Sequence, residues 1–238
     1  MDDNFELKKL NLGCGLDKRE GYLNIDIHKF HAPDIVADVL DLGFLKKGTF
    51  TEIIANDILE HLPRESTKRA LLHWAQLLSM NGILRLRVPS LLAIANELNQ
   101  PRNQSLEKQE LLLQNLFGTQ AYEGDFHFTS FTEVIVCDYL SQTGFALTRL
   151  ELYDGWMFDV VAKKIVDVNP RDIGEFFDLL DLECGDEEFV NQCYVEILKR
   201  TADNEGLSFY VNQLAEGALS RQQLTFTLSK SHERLSSR

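Results

Sequence analysis

A short apolar strand that runs straight into two closely spaced glycines, Lys9-Leu10-Asn11-Leu12-Gly13-Cys14-Gly15, constrains this chain more than any other feature. Leu10 and Leu12 alternate as in a β-strand, and the glycines supply a tight turn. Without a Cβ the backbone takes positive φ readily, and a ligand can lie against the main chain. Asp26, eleven residues beyond Gly15, closes a second run, Tyr22-Leu23-Asn24-Ile25-Asp26. In α/β nucleotide folds a carboxylate at the tip of the second strand accepts hydrogen bonds from ribose hydroxyls. The glycine turn and Asp26 together outline a nucleoside site.

The pattern that follows alternates strand and helix. Runs at 9–12, 22–27, 34–39, 51–57, 82–89, 145–153 and 157–165 read as strands. Between the fourth and fifth, Leu71, Leu72, Trp74, Ala75, Leu77 and Leu78 recur at helical spacing; Pro63 and Glu65 open this helix and Asn81-Gly82 closes it. Another helix covers 132–143 and stops at Gly144, and Asp154-Gly155 signals a hairpin between the last two strands. Alternation implies a parallel sheet covered by helices, and the hairpin reverses the last strand. The expected fold is therefore α/β: a doubly wound, mostly parallel seven-stranded sheet with a reversed last strand. Helices at 91–98 and 106–117 interrupt the rhythm. An insertion there, at the carboxyl edge of the sheet, suits a substrate lid, with plain packing elaboration as the alternative.

From 169 onward every segment reads as helix: 172–182, 186–200, 203–216 and 220–234, with Ser220 as an N-cap. Residues 166–238 carry seven Lys/Arg and fourteen Asp/Glu, a net of −7. The division expected is 1–168 and 169–238, the second part a small all-α domain. The whole chain carries −13, which argues against a nucleic-acid partner, since such binding rests on clustered Lys and Arg. No apolar run approaches the roughly 18 residues of a membrane span, and the start, MDDNFELKK, lacks the pattern of a signal peptide. Cys14, Cys137, Cys184 and Cys193 show no CxxC spacing, which predicts reduced thiols in a cytoplasmic protein. No residue is assigned to a metal. The end at Ser236-Ser237-Arg238 is abrupt, as in a piece of a longer polypeptide.

Residues 9–89 resemble class I S-adenosylmethionine (SAM)-dependent methyltransferases. NLGCG matches the first motif of that family, Asp26 its acidic second motif, and Asp38 the acid at the end of the third strand; Asp41 competes for that role. FTEIIANDILEHL (50–62) matches the fourth strand with its "LEHL" sequel, LLSMNG followed by GILRLRVP the next strand, and Gly144-Phe145 the "GF" segment before the hairpin. The resemblance implies SAM as cofactor, held by Asn11, Gly13, Cys14, Gly15, Asp26, Ile27, Asp38, Val39, Asn56 and Asp57. It also implies methyl transfer to a small acceptor. A hydroxyl or protonated amine acceptor needs a base, for which His127, after the insertion, and His61, in a motif that is often structural in the family, are the candidates; His73 reads as a surface residue of its helix. Three departures stand out. Lys18 replaces the third glycine of a dinucleotide loop, which argues against NAD. The gap to Asp26 is too short for a full helix, as in compact glycan-associated members of the family. Glu52 stands where an aspartate usually opens the fourth strand.

The tail is similar to an uncharacterised bacterial helical family, DUF4214. Tyr194, Leu198, Arg200, Asp203, Gly206, Leu207, Gly217, Ser220, Arg221, Ser231 and Glu233 stand at its pattern positions, with Tyr210 in place of a tryptophan. That family often accompanies enzymes of cell-surface glycan biogenesis, which implies a hydroxyl or amine of a sugar or glycan intermediate as acceptor. The acidic helices would then recruit a protein partner. The alternative is a catalytically inactive SAM-binding protein or assembly adaptor.

Overall fold

The computed structural model describes residues 7–121 and 124–236. Residues 1–6 and Ser237-Arg238, on which the readings of the chain's start and end rest, lie outside them. The chain divides into two compact units, Met1–Val168 and Asn169–Arg238.

In the first unit the strands are β1 (Lys9–Leu12), β2 (Leu23–Asp26), β3 (Ile35–Val36) and β4 (Phe50–Asn56). Helix α1 (Thr67–Leu77) leads into β5 (Leu78–Pro89), followed by α2 (Leu91–Leu98), α3 (Leu106–Phe117) and α4 (Glu133–Gln142). The hairpin β6 (Phe145–Tyr153) and β7 (Met157–Lys164) ends the unit. One seven-stranded sheet runs in the order β3-β2-β1-β4-β5-β7-β6. β1 to β5 pair in parallel, and β7 runs antiparallel to both β5 and β6. This is the doubly wound, Rossmann-like sheet with a reversed last strand that the sequence predicts. Asp154 and Gly155, both at positive φ (52° and 89°), make the hairpin turn.

Leu10, Leu12, Ile25, Ile53, Leu84 and Val160 are fully buried, and Trp74 and Leu71 of α1 close over the sheet. The Trp74 indole N–H donates to the Val39 carbonyl at 3.1 Å, so burial of that large ring leaves no orphaned donor. Among the described residues no helix is long and apolar enough to cross a membrane.

Three expectations for this unit need correction. The helix after β4 ends at Leu77, not at Asn81-Gly82. Leu78 pairs with Phe50, the register then jumps to Glu52 opposite Ile83, and residues 79–82 form a bulge with Asn81 at φ 67°. The ladder partner overrides local helix periodicity. The third strand is two residues long, not six: Ile35 and Val36 pair with Ile25 and Asp26, and β2 ends there, leaving residues 37–39 no ladder partner. His73 is half-buried rather than on the surface, and burial pushes its pKa down.

The second unit holds α5 (Asp186–Cys193), α6 (Asn204–Ala215), α7 (Arg221–Ser229) and α8 (His232–Ser236). Phe189, Val190, Cys193, Ile197 and Leu224 are its buried centre. The segment expected as a helix at 172–182 is instead two short 3₁₀ turns, because Gly174 sits in the left-handed region at φ 77° between them. After α5 the last turn widens to a π-helix, Tyr194–Leu198, and Lys199 (φ 61°) ends it. The final predicted helix splits into α7 and α8. Ser220 caps α7 in a capping box with Gln223.

Candidate active site at the carboxyl edge of the sheet

Because β1, β2, β3, β4 and β5 are parallel, the segments that leave them emerge along one edge. Gly13–Gly15, Asp26–Ile27, Asp38, Asn56–Asp57 and Ser90 all stand there. Chain order reverses between β1 and β4, and such switch points open the crevice in which open α/β sheets bind ligands.

The glycine turn is built by its neighbours. The Cys14 N–H donates to the Ile25 carbonyl at 3.0 Å, and the Gly15 N–H donates to Asp26 Oδ2 at 2.8 Å. Gly13 and Gly15 both take positive φ, 60° and 49°, yet they differ in surroundings. A Cβ on Gly13 would stand 1.7 Å from Ile58 Cδ1, so that glycine admits a side chain of the loop after β4. A Cβ on Gly15 would meet nothing within 4 Å among the described residues. Of the two, Gly15 is the one that offers bare main chain to a ligand.

The expected cofactor residues fall into two groups. Several are engaged in holding the loops. Asn11 is buried, and its amide donates to the Asp17 carbonyl at 2.7 Å and to Asn24 Oδ1 at 3.0 Å, bracing the turn in place of a helix. Cys14 is buried, and desolvation with the nearby Asp26 charge pushes its thiol up to about 11. The Val39 carbonyl is taken by Trp74. Asp57 adopts a left-handed backbone (φ 55°) and pairs its carboxylate with the Arg87 guanidinium. Others are open: Ile27 is 58% exposed, and Asp38 is exposed, one of its carboxylate oxygens accepting the Leu40 N–H. Asn56 is half-buried at the end of β4.

Asp26 belongs to both groups. It is 5% exposed; its Oδ2 accepts from Gly15, and its Oδ1 accepts the His28 N–H at 2.8 Å and His31 Nδ1 at 3.0 Å. Burial works to raise its pKa, but the bonds from His28, Gly15 and His31 outweigh it and hold the carboxyl below its usual range. A carboxylate offers about four lone-pair positions. Three are occupied, which leaves one, on Oδ2.

On the β4 side the fold joins residues far apart in sequence. The Phe128 N–H donates to the Glu60 carbonyl at 2.7 Å, and the His127 N–H donates to the Phe117 carbonyl at 3.2 Å. The end of the 91–126 insertion is thereby pinned to the loop after β4. The His61 and His127 rings meet edge to face, 4.6 Å between centroids. His127 Nδ1 donates to the Asn115 carbonyl at 3.2 Å, which leaves Nε2 as its lone-pair nitrogen. Burial, then the neighbouring His61, lowers its pKa.

Beside them lies a residue the sequence reading did not single out. Glu60 is 0% exposed, and neither carboxylate oxygen has a hydrogen-bond partner among the described residues. Burial, then the Asp57 carboxylate, pushes it well above the usual range; its own amide and Arg87 offset this only in part. The Glu-His pair in "LEHL" was visible, but nothing local marks Glu60 as buried or brings His127 to it.

Glu52, by contrast, is structural. It accepts from Arg85 at 2.6 Å and Tyr22 at 2.8 Å and pairs with Lys9 at 3.1 Å, near the opposite end of β4. The tail's pattern residues also serve the fold. Arg200 bridges Asp203 and Glu233, and a Cβ on Gly206 would stand 2.3 Å from the Tyr194 hydroxyl. Arg221 lies over the Phe189 ring and pairs with Asp186.

No curated protein matches the chain significantly in sequence. Many solved structures of similar fold are SAM-dependent methyltransferases. One, from Methanosarcina mazei, is 16% identical over 66% of this chain and 92% of that one, with a TM-score of 0.48. Another is the 1,6-didemethyltoxoflavin-N1-methyltransferase of Burkholderia thailandensis, which carries bound S-adenosylhomocysteine (13% identity, 66% and 71% coverage, TM-score 0.43). A "possible exported protein" from Bordetella parapertussis is 15% identical over 66% of this chain and 61% of that one, TM-score 0.48, so the match spans less than two thirds of its length. Residues 174–237 match the family described as "Domain of unknown function (DUF4214)".

Proposed function

We propose that the first unit is a methyltransferase that uses SAM to methylate a hydroxyl or amine of a sugar or glycan intermediate. One observation carries the reading: the open main chain of Gly15 is bonded to the Asp26 carboxylate at a sheet edge that also carries Ile27, Asp38, Asn56 and the His61–His127 pair. These residues fit the cofactor. Gly15 leaves space against the backbone, Asp26 retains one acceptor position for a ribose hydroxyl, and Ile27 offers an apolar surface to a base. A second ribose hydroxyl on Asp26 would have to displace His31. Bound there, SAM supplies an electrophilic methyl group on a sulfonium.

The chain's part in transfer is alignment of the acceptor with that methyl and removal of the acceptor's proton. We assign acceptor activation to the His61–His127 pair and covering of the site to the insertion it anchors. The glycan class of the acceptor and a protein partner for the acidic second unit rest on the resemblance of the tail. A cytoplasmic setting rests on the four cysteines, which stand as free thiols.

A thermal-shift measurement tests the cofactor. S-adenosylhomocysteine at about 100 times Kd stabilises by roughly 2.7 kcal/mol, or about 5–10 °C for a chain of this size. No shift, or an equal shift with NADH, refutes the reading. The engagement of Asp26 and Asp57 within the protein favours a second reading, a cofactor-binding protein without transfer. Binding of S-adenosylhomocysteine with no turnover on sugar hydroxyls or amines would select it.

A further inference from the structure

We propose that Glu60, His61 and His127 form a binding site for a divalent transition-metal cation, zinc foremost. One ligand atom from each of the three lies within 4.8 Å of the others. Both Glu60 oxygens and His61 Nδ1 are buried without a hydrogen-bond partner among the described residues. A buried polar atom without a partner is rare and costly, and three on two adjacent residues call for a missing donor or cation. No hydrogen bond between the Glu60 carboxylate and either imidazole relieves them.

The chemistry of the three groups fits. Two imidazoles and one carboxylate are a known donor set for zinc with an open fourth position, and they also suit iron(II) and other borderline cations over calcium or magnesium. His127 donates Nδ1–H to the Asn115 carbonyl, the outer-shell bond that orients a metal-ligating histidine and presents Nε2. Ligands about 2.0–2.2 Å from zinc stand about 3.3 Å apart in a tetrahedron. Closing from 4.8 Å takes about 1.5 Å of side-chain movement. Asp57 is excluded as a further ligand while Arg87 holds it.

Such a cation would bind an acceptor oxygen at its open position and ease loss of that oxygen's proton to solvent, so that with the metal bound His61 and His127 activate the acceptor as ligands and not as free bases. That role rests on the methyl-transfer reading, whereas binding of the cation does not.

The test uses the full chain, stripped with a chelator and dialysed against Zn²⁺ or Co²⁺. One equivalent per chain is expected by elemental analysis. Co²⁺ should give d–d absorption without a thiolate charge-transfer band, which excludes the cysteines as ligands. His127→Ala and Glu60→Gln should each weaken uptake by at least about tenfold, while His73→Ala leaves it unchanged. The thermal shift with S-adenosylhomocysteine, retained in His127→Ala, shows that the variant folds and separates this proposal from the cofactor reading. No stoichiometric uptake, or uptake that both ligand variants leave unchanged, overturns the site whether or not the cofactor binds.

Discussion

Asp26→Asn probes the junction between loop architecture and ligand binding. The wild-type carboxylate accepts three bonds, from Gly15, His28 and His31, at 2.8, 2.8 and 3.0 Å. An asparagine has one acceptor oxygen, and its NH₂ must face donors on the other side. Keeping the oxygen toward His28 and His31 points the NH₂ at the Gly15 N–H. A hydrogen bond to a charged group contributes about 1.5–3 kcal/mol, and a stranded buried donor costs about 1–3 kcal/mol. The variant should therefore lose about 2–3 kcal/mol of stability. At about 2–4 °C per kcal/mol, Tm falls by roughly 4–12 °C. The one acceptor position left for a ribose hydroxyl lies on the oxygen that becomes the NH₂ and is lost with it, so affinity for S-adenosylhomocysteine should drop at least about tenfold. Circular-dichroism melts and calorimetric titration read the two effects separately. The pH dependence has a definite sign. A carboxyl held below its usual pKa adds stability that is complete above the unfolded value, about 3.9, and is lost as pH falls through the folded value. Asp26→Asn should lack that portion of the acid transition. A Tm within about 1 °C of wild type, with undiminished ligand affinity, would refute the account of this carboxylate as the keystone of the loop.

Three further outcomes are expected. Gly13→Ala should destabilise through its clash with Ile58 and be partly rescued by Ile58→Ala, whereas Gly15→Ala costs only the left-handed strain of about 1–2 kcal/mol yet abolishes cofactor binding; equal melting losses in the two would count against the distinction. Glu52 is held down to about 2, burial opposing and Arg85, Tyr22 and Lys9 prevailing, so its stabilisation is present above its ordinary 4.5 and lost as pH falls toward 2; Glu52→Gln should flatten that limb of the stability curve in acid titration. With its thiol near 11, Cys14 should resist iodoacetamide at neutral pH while the half-buried Cys137 and Cys184 react, and mass spectrometry showing Cys14 labelled first would be inconsistent with its burial.

Local chemistry in the chain was enough to place α2 at Leu91–Leu98 and α3 at Leu106–Phe117. Ser90 and Ser105 accept the N–H groups of Ala93 and Lys108 as side-chain caps, and such bonds depend on residues three apart. The glycine turn, the Asp154-Gly155 hairpin and the alternation behind the sheet were legible for the same reason: each is encoded within a few residues. Tertiary structure decided what needed a distant partner. Leu78 left its helix because Phe50 was there to pair with it. Asp26 was left with a single free acceptor position because His31 folded back onto it and took another. Glu60, His61 and His127 met because the Phe128 N–H reached the Glu60 carbonyl across an insertion whose length says nothing of where it returns. Periodicity and caps report the energy of neighbours along the chain. The candidate site draws on ladder register, desolvation and loop closure, which exist only once the strands are in order.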